Sequence, residues 1–419
     1  MLQMKNSGVE WIGNIPENWN VERLQWHLYE INDKNNPIKS TEVLSLTNKR
    51  GVIPYEEKGA QGNISKENYA EYHLAYKDTI VANSMNILIG SVGYSNYFGC
   101  VSPVYYVFKE KKGTSLRFIN YVMQTTQFQK ELRKFANGIL EIRMRVSVDD
   151  IFKRKIAIPT LQEQENIANF LDKKCGEIDR LISDIEKEIE VLTQYKKSII
   201  TETVTKGLDK NTKLKSTDIK WADKIPEHWN VKKGKYSLKY IIRPIKDSDD
   251  IITCFRDGEV TLRKNRREEG FTMADKEIGY QGINKGDLVV HGMDGFAGAI
   301  GISDSRGKAS PVLNVLDTTE NKKYIMYYLR SLAFNDVFTA MSTGIRVRSC
   351  DLRWNKLAEL LYILPPIAEQ NQIVDYLDKK INEINSVLED KNKQLETLES
   401  YKKSILYEYV TGKKAVEND

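Results

Sequence analysis

The sequence predicts an α+β protein with an internal pseudo-two-fold repeat, in which two similar mixed α/β modules are separated by two long helices. The first observation is the hexapeptide IPENWN at residues 15–20, which returns as IPEHWN at 225–230. The second is PTLQEQENIANFLDKK at 159–174, which returns 206 residues later as PPIAEQNQIVDYLDKK at 365–380. Self-similarity of this kind indicates a duplicated structural unit.

The repeat divides the chain into five segments. Two variable blocks, 1–158 and 225–364, differ strongly from each other, whereas two helical blocks, 159–207 and 365–414, agree closely. The polar run 208–224 links the two halves. Each variable block is long enough to bury a core of its own.

The variable blocks contain short apolar runs, such as DTIVAN and VYYVF, separated by Gly, Asn, Asp and Pro. This pattern predicts mostly β-structure. One helix is predicted late in each block, over 115–136 and 321–341. Each block then ends in an apolar run into proline, at 155–159 and 361–365, and proline is well tolerated where the next helix begins.

Each helical block carries an apolar heptad pattern. In the first block the pattern comprises Ile178, Ile182, Ile185, Ile189, Leu192 and Ile199, with Lys196 in one polar slot. In the second block it comprises Ile384, Leu388, Leu395, Leu398 and Ile405, interrupted by Lys391 and Lys402. A 3.5-residue period over three heptads predicts a coiled coil, and the matching registers favour pairing of the two helices. The alternative is two separate amphipathic helices, each lying on its own module.

The composition is that of a soluble globular protein, with 41% hydrophobic and 29% charged residues. No apolar run reaches the roughly 18 residues of a membrane span, and the N-terminus lacks the apolar core of a signal peptide. The cysteines are scattered, so we expect reduced thiols and a cytoplasmic location. They are Cys100, Cys175, Cys254 and Cys350.

The net charge of +5 is unevenly distributed. Residues 161–207 carry −3 and residues 367–413 carry −2, so the rest of the chain carries +10. A basic excess outside the helices favours contact with a polyanion, although mild basicity also serves solubility alone.

The sequence lacks motifs for catalysis. The stretch GISDSRGKAS at 301–310 departs from a phosphate-binding loop in its glycine spacing, and Ala309 replaces the hydroxyl that would hold magnesium. The histidines stand apart, with neither HExxH nor a Cys/His cluster: His27, His73, His228 and His291. The sequence therefore predicts a binding protein with no catalytic centre, no cofactor and no metal site of its own.

Two similar modules held apart by stiff helices suit the reading of two separate patches on a long regular ligand. Duplex DNA is such a ligand, because its phosphates attract basic protein and its base edges carry sequence information.

The repeated pattern of IPENWN, a variable block, the element Pro-x-x-x-Glu-Gln-x-x-Ile-x-x-(Phe/Tyr)-Leu-Asp-Lys-Lys and a coiled-coil helix resembles the specificity subunit of type I restriction–modification systems. The resemblance covers essentially the whole chain. It implies that each variable block is a target-recognition domain for one half of a bipartite double-stranded DNA site. It also implies that the two helices form an antiparallel coiled coil, which sets the spacing and binds two methyltransferase subunits.

The same resemblance implies a motor-nuclease (restriction) subunit as a further partner. The assembled complex would use S-adenosylmethionine, together with ATP and magnesium where the motor subunit is present. The specificity subunit itself is then a non-catalytic part of an adenine-methylating complex.

Candidate DNA contacts are Arg and Lys near turns with Asn and Gln beside them, since Arg can bind guanine and Asn or Gln adenine through two hydrogen bonds. In the first module they are Lys49, Arg50, Gln61, Asn63, Asn83, Ser84, Arg143 and Arg145. In the second they are Arg263, Lys264, Arg266, Arg267, His291, Asp294, Arg346 and Arg348. The arginines of IRMR and IRVR align only with a three-residue gap, and the resemblance implies that this stretch faces DNA. The alternative for each side chain is a solvated surface group.

Two further groups of residues belong to the repeated motifs. Trp19 and Trp229 are predicted to be packing anchors between module and helix rather than DNA stackers. Glu163, Gln164, Glu369 and Gln370 are candidate contacts to the methyltransferase, or alternatively cap and orient the helices.

Two rival functions remain open at this level. One is a coiled-coil scaffold that joins proteins and never touches DNA. The other is a self-contained DNA-modifying enzyme, which requires a methyl-donor pocket that the sequence does not show.

Overall fold

The computed structural model describes residues 3–47, 50–58, 68–136, 144–266, 277–340 and 352–416. The chain forms two compact units: unit 1 comprises residues 1–185 and 392–419, and unit 2 comprises residues 186–391. These units divide both long helices, whereas the five-segment division keeps each helix whole. The five-segment division follows the sequence repeat and stays a prediction.

Unit 1 contains twelve short strands within its described residues. They are β1 (Met4–Asn6), β2 (Asn14–Pro16), β3 (Asn20–Arg23), β4 (Leu28–Ile31), β5 (Leu44–Thr47), β6 (Gly51–Pro54), β7 (His73–Ala75), β8 (Thr79–Asn83), β9 (Val92–Ser95), β10 (Gly99–Val101), β11 (Tyr105–Glu110) and β12 (Lys155–Ile158). An antiparallel four-stranded sheet has the order β4-β11-β8-β9, and the other strands pair as β1–β2, β3–β12, β5–β6 and β7–β10. The apolar centre of the run DTIVAN, Ile80–Ala82, lies in β8, which is inside this sheet and buried along its whole length.

Unit 2 also contains twelve strands within its described residues. They are β13 (Leu214–Ser216), β14 (Lys224–Pro226), β15 (Asn230–Lys233), β16 (Leu238–Tyr240), β17 (Ile252–Cys254), β18 (Val260–Leu262), β19 (Gln281–Ile283), β20 (Leu288–His291), β21 (Ile300–Ile302), β22 (Gly307–Ala309), β23 (Leu313–Thr318) and β24 (Leu361–Leu364). Here the four-stranded sheet has the order β16-β23-β20-β21, with pairs β13–β14, β15–β24, β17–β18 and β19–β22. Each sheet of unit 2 thus has a counterpart in unit 1 at the same place in chain order, which confirms the predicted internal repeat.

The described helices are few, and two of them are long. They are α1 (Leu116–Gln124), α2 (Thr126–Arg133), α3 (Val148–Phe152), α4 (Leu161–Lys206), α5 (Lys322–Phe334), α6 (Val337–Ala340), α7 (Trp354–Glu359) and α8 (Ile367–Val410). No helix in the described part of the chain is long and apolar enough to cross a membrane.

The single helix predicted late in each module is wrong in one respect, because each is broken into two. Thr125 is extended between α1 and α2, and its side chain accepts a hydrogen bond from the backbone N–H of Phe128, so it caps the second helix. In unit 2, Asp336 has a φ of 56° between α5 and α6, which no helix accommodates. Local capping chemistry therefore overrides the continuous apolar pattern.

Helices α4 and α8 pair in antiparallel orientation within unit 2. Lys196 Nζ donates to Asn385 Oδ1 at 2.7 Å, and Lys391 Nζ lies 2.5 Å from Glu188 Oε2. As the position along α4 falls from 196 to 188, its partner along α8 rises from 385 to 391, so the two helices run in opposite directions.

Unit 1 holds the other part of each helix in the same arrangement. Lys402 Nζ donates to Asp179 Oδ1 at 2.5 Å, and the rings of Phe170 and Tyr409 lie 4.4 Å apart between centroids. Each polar slot of the heptad pattern therefore meets a polar partner on the facing helix, which satisfies the lysine charge or its hydrogen bonds.

The exposure pattern along α8 follows the heptads. Between Ile381 and Ile405, the residues that are not exposed are Ile381, Ile384, Leu388, Lys391, Leu395, Leu398, Lys402 and Ile405, at alternating spacings of three and four. This alternation is the signature of a coiled-coil seam. The predicted antiparallel coiled coil is confirmed, and the alternative of two separate amphipathic helices is wrong.

Candidate nucleic-acid interface

The first hexapeptide anchors its module to both long helices of unit 1. Trp19 is 1% exposed, and its indole Nε1 donates to Glu163 Oε1 at 2.9 Å, in the first turn of α4. Gly412 follows the end of α8 with a φ of 69°, and a Cβ there would overlap Pro16 and approach the Trp19 ring. Glycine is therefore required where the helix end meets the tryptophan.

The second hexapeptide does the same in unit 2. Trp229 is fully buried, and its Nε1 donates to Glu369 Oε2 at 3.0 Å, in the first turn of α8. His228 Nε2 lies 2.9 Å from the same carboxylate oxygen. Gly207, just after α4, has a φ of 78° and lies against Trp229. Both tryptophans are packing anchors, as predicted.

The two motif glutamines join the long helices to the helices of the modules. Gln164 Oε1 accepts from the backbone N–H of Ser115, which precedes α1, at 2.8 Å, while its Nε2 donates to Pro159 O at 3.0 Å. Gln370 Oε1 accepts from the N–H of Asn321, which precedes α5, at 2.9 Å.

Both glutamines are 0–1% exposed, so neither can contact a methyltransferase, and that prediction is wrong for Gln164 and Gln370. Glu163 and Glu369 are half-buried and already bonded to tryptophan. The contacts of all four residues support the alternative that they orient the helices, while a methyltransferase contact of Glu163 and Glu369 stays a prediction.

The aspartate of the repeated LDKK element has a matching role that the sequence analysis missed. Asp172 accepts hydrogen bonds from Arg117 and Tyr121 of α1, each at 2.5 Å. Asp378 accepts from Lys323 at 2.5 Å and Tyr327 at 2.6 Å, both on α5. Burial and the aspartate hydrogen bond raise the pKa of Tyr327 above its ordinary value, so it stays a donor. The aspartate of the repeated element therefore joins each long helix to a helix of its module.

Two of the candidate DNA-contact residues, Asn83 and Ser84, lie where the buried strand β8 ends and a turn begins. Asn83 and Ser84 are 7% and 1% exposed, and Asn83 Oδ1 accepts from the backbone N–H of Met85 at 3.0 Å. Side chains so deeply buried cannot reach the base edges of a duplex. We therefore reassign Asn83 and Ser84 from DNA contact to formation of this turn.

An equivalent turn follows β20 in unit 2. His291 Nδ1 accepts from the backbone N–H groups of Met293 and Asp294, at 3.2 and 3.0 Å. Burial lowers the pKa of His291 below its ordinary value of 6.5, although nearby Asp294 opposes this and Arg256 reinforces it. The neutral imidazole is therefore a turn-forming acceptor, while Asp294 is accessible and pairs with Arg256 at 2.9 Å.

A second segment passes each turn. The N–H of Val146 donates to Ser84 O at 3.1 Å, and the N–H of Leu352 donates to Gly292 O at 2.8 Å. Arg145, next to Val146, is exposed beside the first turn. Arg145 therefore stays a predicted DNA contact. The matching hydrogen bonds also show that Val146 in the first module corresponds to Leu352 in the second.

The other described candidates are cationic side chains that already have polar partners within the chain; all but the half-buried Arg263 are exposed. Arg50 bonds to Glu57, and Lys264 Nζ lies 2.5 Å from Asp250 Oδ2. Arg266 contacts Asp257 at 2.6 Å and Glu259 at 3.0 Å, and Arg263 Nε lies 3.4 Å from Thr253 Oγ1. To bind phosphate, the cations paired with acids would have to exchange a carboxylate for a phosphate oxygen. All of these residues stay predicted DNA contacts. Lys49, Gln61, Asn63, Arg143, Arg267, Arg346 and Arg348 lie outside the described residues.

The described residues contain no group of three or more His, Cys, Asp or Glu side chains placed to hold a metal ion. His27 is instead bonded to Glu22 and Thr114, both at 3.0 Å. Cys100, Cys175 and Cys254 are free and buried, and burial raises the pKa of the Cys100 thiol to about 11. Such thiols are poor nucleophiles near neutral pH.

Known proteins resemble this chain in sequence and in fold. The profile of the family described as "Type I restriction modification DNA specificity domain" matches residues 16–191. A putative type I restriction enzyme MjaX specificity subunit of Methanocaldococcus jannaschii is 25% identical over 434 residues, which cover 96% of this chain and 95% of the relative. The type I restriction enzyme MjaVIII specificity subunit of the same organism is 24% identical with the same coverage.

The chain is similar to type I restriction–modification specificity subunits along almost its whole length. Its fold is shared with a solved chain from the work "Structural basis underlying complex assembly and conformational transition of the type I R-M system", with a TM-score of 0.67 at 12% identity. That match covers 96% of this chain and 99% of the solved one. The predicted resemblance to specificity subunits and the predicted fold class are therefore confirmed, and the relatives support the predicted non-catalytic role. The individual base contacts stay predictions.

Proposed function

We propose that this specificity subunit directs a type I restriction–modification complex to a split site in double-stranded DNA. Each module reads one half of the site, and the paired helices fix the gap between the halves. The observation that carries the proposal is the duplication itself: two modules of matching topology, each joined by the same tryptophan–glutamate and glutamine contacts to a long helix.

The helix pairing supports a fixed gap. Lys391 in unit 2 and Lys402 in unit 1 each meet a carboxylate on the facing helix, Glu188 and Asp179 respectively. A polar group inside an apolar seam is satisfied in one register and buried without a partner in others. The seam therefore favours one register, and a fixed register gives a fixed distance.

The partners of the complex are proposed on the same basis. Two methyltransferase subunits would bind the paired helices, which present exposed apolar side chains to solvent. These include Leu181, Val191, Tyr195, Val387 and Tyr401. Because the helices repeat, two equivalent docking faces are expected, one for each subunit. Restriction motor subunits would join this assembly.

The cofactors belong to those partners. S-adenosylmethionine would bind the methyltransferases, and ATP with magnesium would bind the motor subunits. A cytoplasmic location follows from the proposed role, because the DNA and the partner subunits are found there.

The proposal is tested by isolating the chain with its methyltransferase and mapping methylated adenines across the host genome. The expected result is one split motif with two defined halves and a constant gap. Exchanging either module for that of another specificity subunit should change one half and leave the other intact. A continuous motif, or methylation without any motif, would contradict the proposal.

A salt titration separates this function from a scaffold that never touches DNA. A DNA reader releases counterions on binding, so the logarithm of its affinity falls linearly with the logarithm of salt, with a slope of roughly −0.9 for each phosphate contacted. A scaffold would show no such slope and no preference among duplexes.

A further inference from the structure

The two turns that follow β8 and β20 share a residue that the fold does not require. Aligned on these strands, DTIVANSMNILIGSVG (78–93) and GDLVVHGMDGFAGAIG (286–301) agree at four of sixteen positions. Because so few positions agree, each agreement calls for a physical reason.

Three of the four agreements follow from packing and backbone geometry. Val81 and Val289 are fully buried inside the four-stranded sheets. Gly90 and Gly298 have φ values of 88° and 96°, which favour glycine.

The last glycine pair lies against a neighbouring strand. A Cβ at Gly93 would lie 3.0 Å from the Cα of Gly51, and one at Gly301 would overlap the carbonyl oxygen of Gly258. Neither position therefore accepts a side chain without displacing backbone.

The fourth agreement is Met85 with Met293, and burial does not explain it. Their side chains are 36% and 55% exposed, at the tips of turns on the module surface. A single exposed apolar residue is ordinary. The same apolar residue at the same exposed position of two modules that differ at most neighbouring positions indicates a shared role.

Hydrogen bonds hold the backbone of both methionines in place. The backbone N–H of each is bonded to the preceding turn-forming side chain, Asn83 Oδ1 at 3.0 Å or His291 Nδ1 at 3.2 Å. A single 3₁₀ turn follows each of them, at Ile87–Ile89 and Gly295–Ala297. A backbone held in this way can present one side chain at a defined position, as base recognition requires.

An exposed arginine lies beside each of the two turns. Arg145 is exposed next to the segment that bonds to Ser84, directly before Met85. Near Met293, Arg256 is 59% exposed and pairs with Asp294. Cations beside an exposed apolar tip match the DNA major groove, where phosphates line the rim and the thymine 5-methyl is an apolar group on the floor.

We propose that Met85 and Met293 are specificity-determining residues, each of which packs its side chain against the 5-methyl group of a thymine in one half of the DNA site. This inference rests on the proposed function, since it names the contact through which each module reads its half-site. It assigns one thymine-dependent position to each half.

The test uses the full-length protein and selection from a random duplex library. The wild type should yield a split motif. M85A should lose its preference for thymine at one position of one half, M293A should do so in the other half, and M85L should retain the preference. Met4→Ala is the matched control, because Met4 is 38% exposed on β1, away from the turn, and it should leave the motif unchanged.

Deoxyuridine tests the contact at the level of one methyl group. Replacing the Met85-dependent thymine by deoxyuridine should lower wild-type affinity about fourfold, the equivalent of burying one methyl group. The same replacement should leave the affinity of M85A unchanged. Equal losses for the wild type and M85A would overturn the proposal.

Other outcomes separate the inference from the proposed function. If the wild type selects a split motif and M85A and M293A leave that motif unchanged, as Met4→Ala does, the methionine contact is overturned but the proposed DNA recognition stands. A Met85-dependent position occupied by a G·C pair would also overturn it. Failure of the wild type to select any motif would instead overturn the proposed function. Equal melting temperatures of all variants would show that the turns remain folded.

Discussion

The buried glutamine contact between long helix and module gives the sharpest prediction about stability. Gln164→Ala removes the acceptor of the Ser115 N–H and the donor to Pro159 O, which lie 2.8 and 3.0 Å from the side chain. Gln164 is 1% exposed and Ser115 8%, so water cannot replace these partners without opening the interface. Each buried group left without a partner costs about 1–3 kcal/mol, so with two such groups we expect a loss of roughly 2–6 kcal/mol in the unfolding free energy of unit 1.

The assay is differential scanning calorimetry of the full-length protein. For domains of about 150–250 residues, 1 kcal/mol shifts the melting temperature by about 2–4 °C, so the loss corresponds to roughly 4–24 °C. Gln162→Ala is the matched control, because Gln162 is exposed in the same helical turn and its side chain donates to the neighbouring side chain of Asn166. The reasoning is refuted if Gln164→Ala lowers the melting temperature no more than Gln162→Ala does.

Three further predictions address the helix end, the turn and the seam. In urea unfolding, Gly412→Ala should destabilise unit 1 by about 1–3 kcal/mol, because its Cβ would overlap Pro16 and residue 412 has a positive φ. The control Gly176→Ala should stabilise the protein by about 0.5–1 kcal/mol, because Gly176 lies within α4 and has open space around it. Because the folded state lowers the pKa of His291, the unfolded chain binds more protons there, so stability should fall as pH drops below about 6.5. The variant His291→Asn, which introduces the residue that the first module has at this position, should remove that part of the pH dependence in thermal melts. A double-mutant cycle on Lys391 and Glu188 should give a favourable coupling of about 0.5–1 kcal/mol, and a coupling of zero would remove this pair from the register argument.

The sequence predicts the repeat, the coiled coil and the family because those features depend on local patterns. The heptads from Ile384 to Ile405 appear in the structure as an alternating seam, and the matched register of Ile178 to Ile199 indicates the partner. Likewise, the position of Trp19 at a repeated motif is enough to predict a packing anchor. A heptad pattern can be read from the sequence because each pair of helical turns places its residues in the same environment.

The parts that fail depend on long-range contacts. The partners of Gln164 and Asp172 lie about fifty residues earlier in the chain, so the spacing within the motif does not reveal them. Asn83 and Ser84 look like surface polar residues in sequence, but Asn83 ends a strand inside the sheet, Ser84 follows it directly, and both are buried. Met85 was missed because exposed apolar residues carry no recognised motif, although its identity with Met293 was visible in the aligned repeat.

The central claim, that the paired helices set the gap between half-sites, is tested most directly by lengthening both of them. One heptad inserted after Ile185 in α4 and one after Lys391 in α8 preserves the apolar seam and adds about 10.5 Å at ~1.5 Å per residue. At about 3.4 Å per base pair, methylated-adenine mapping should show both half-sites unchanged and the gap longer by about three base pairs. An unchanged gap in a folded, active complex would contradict the account.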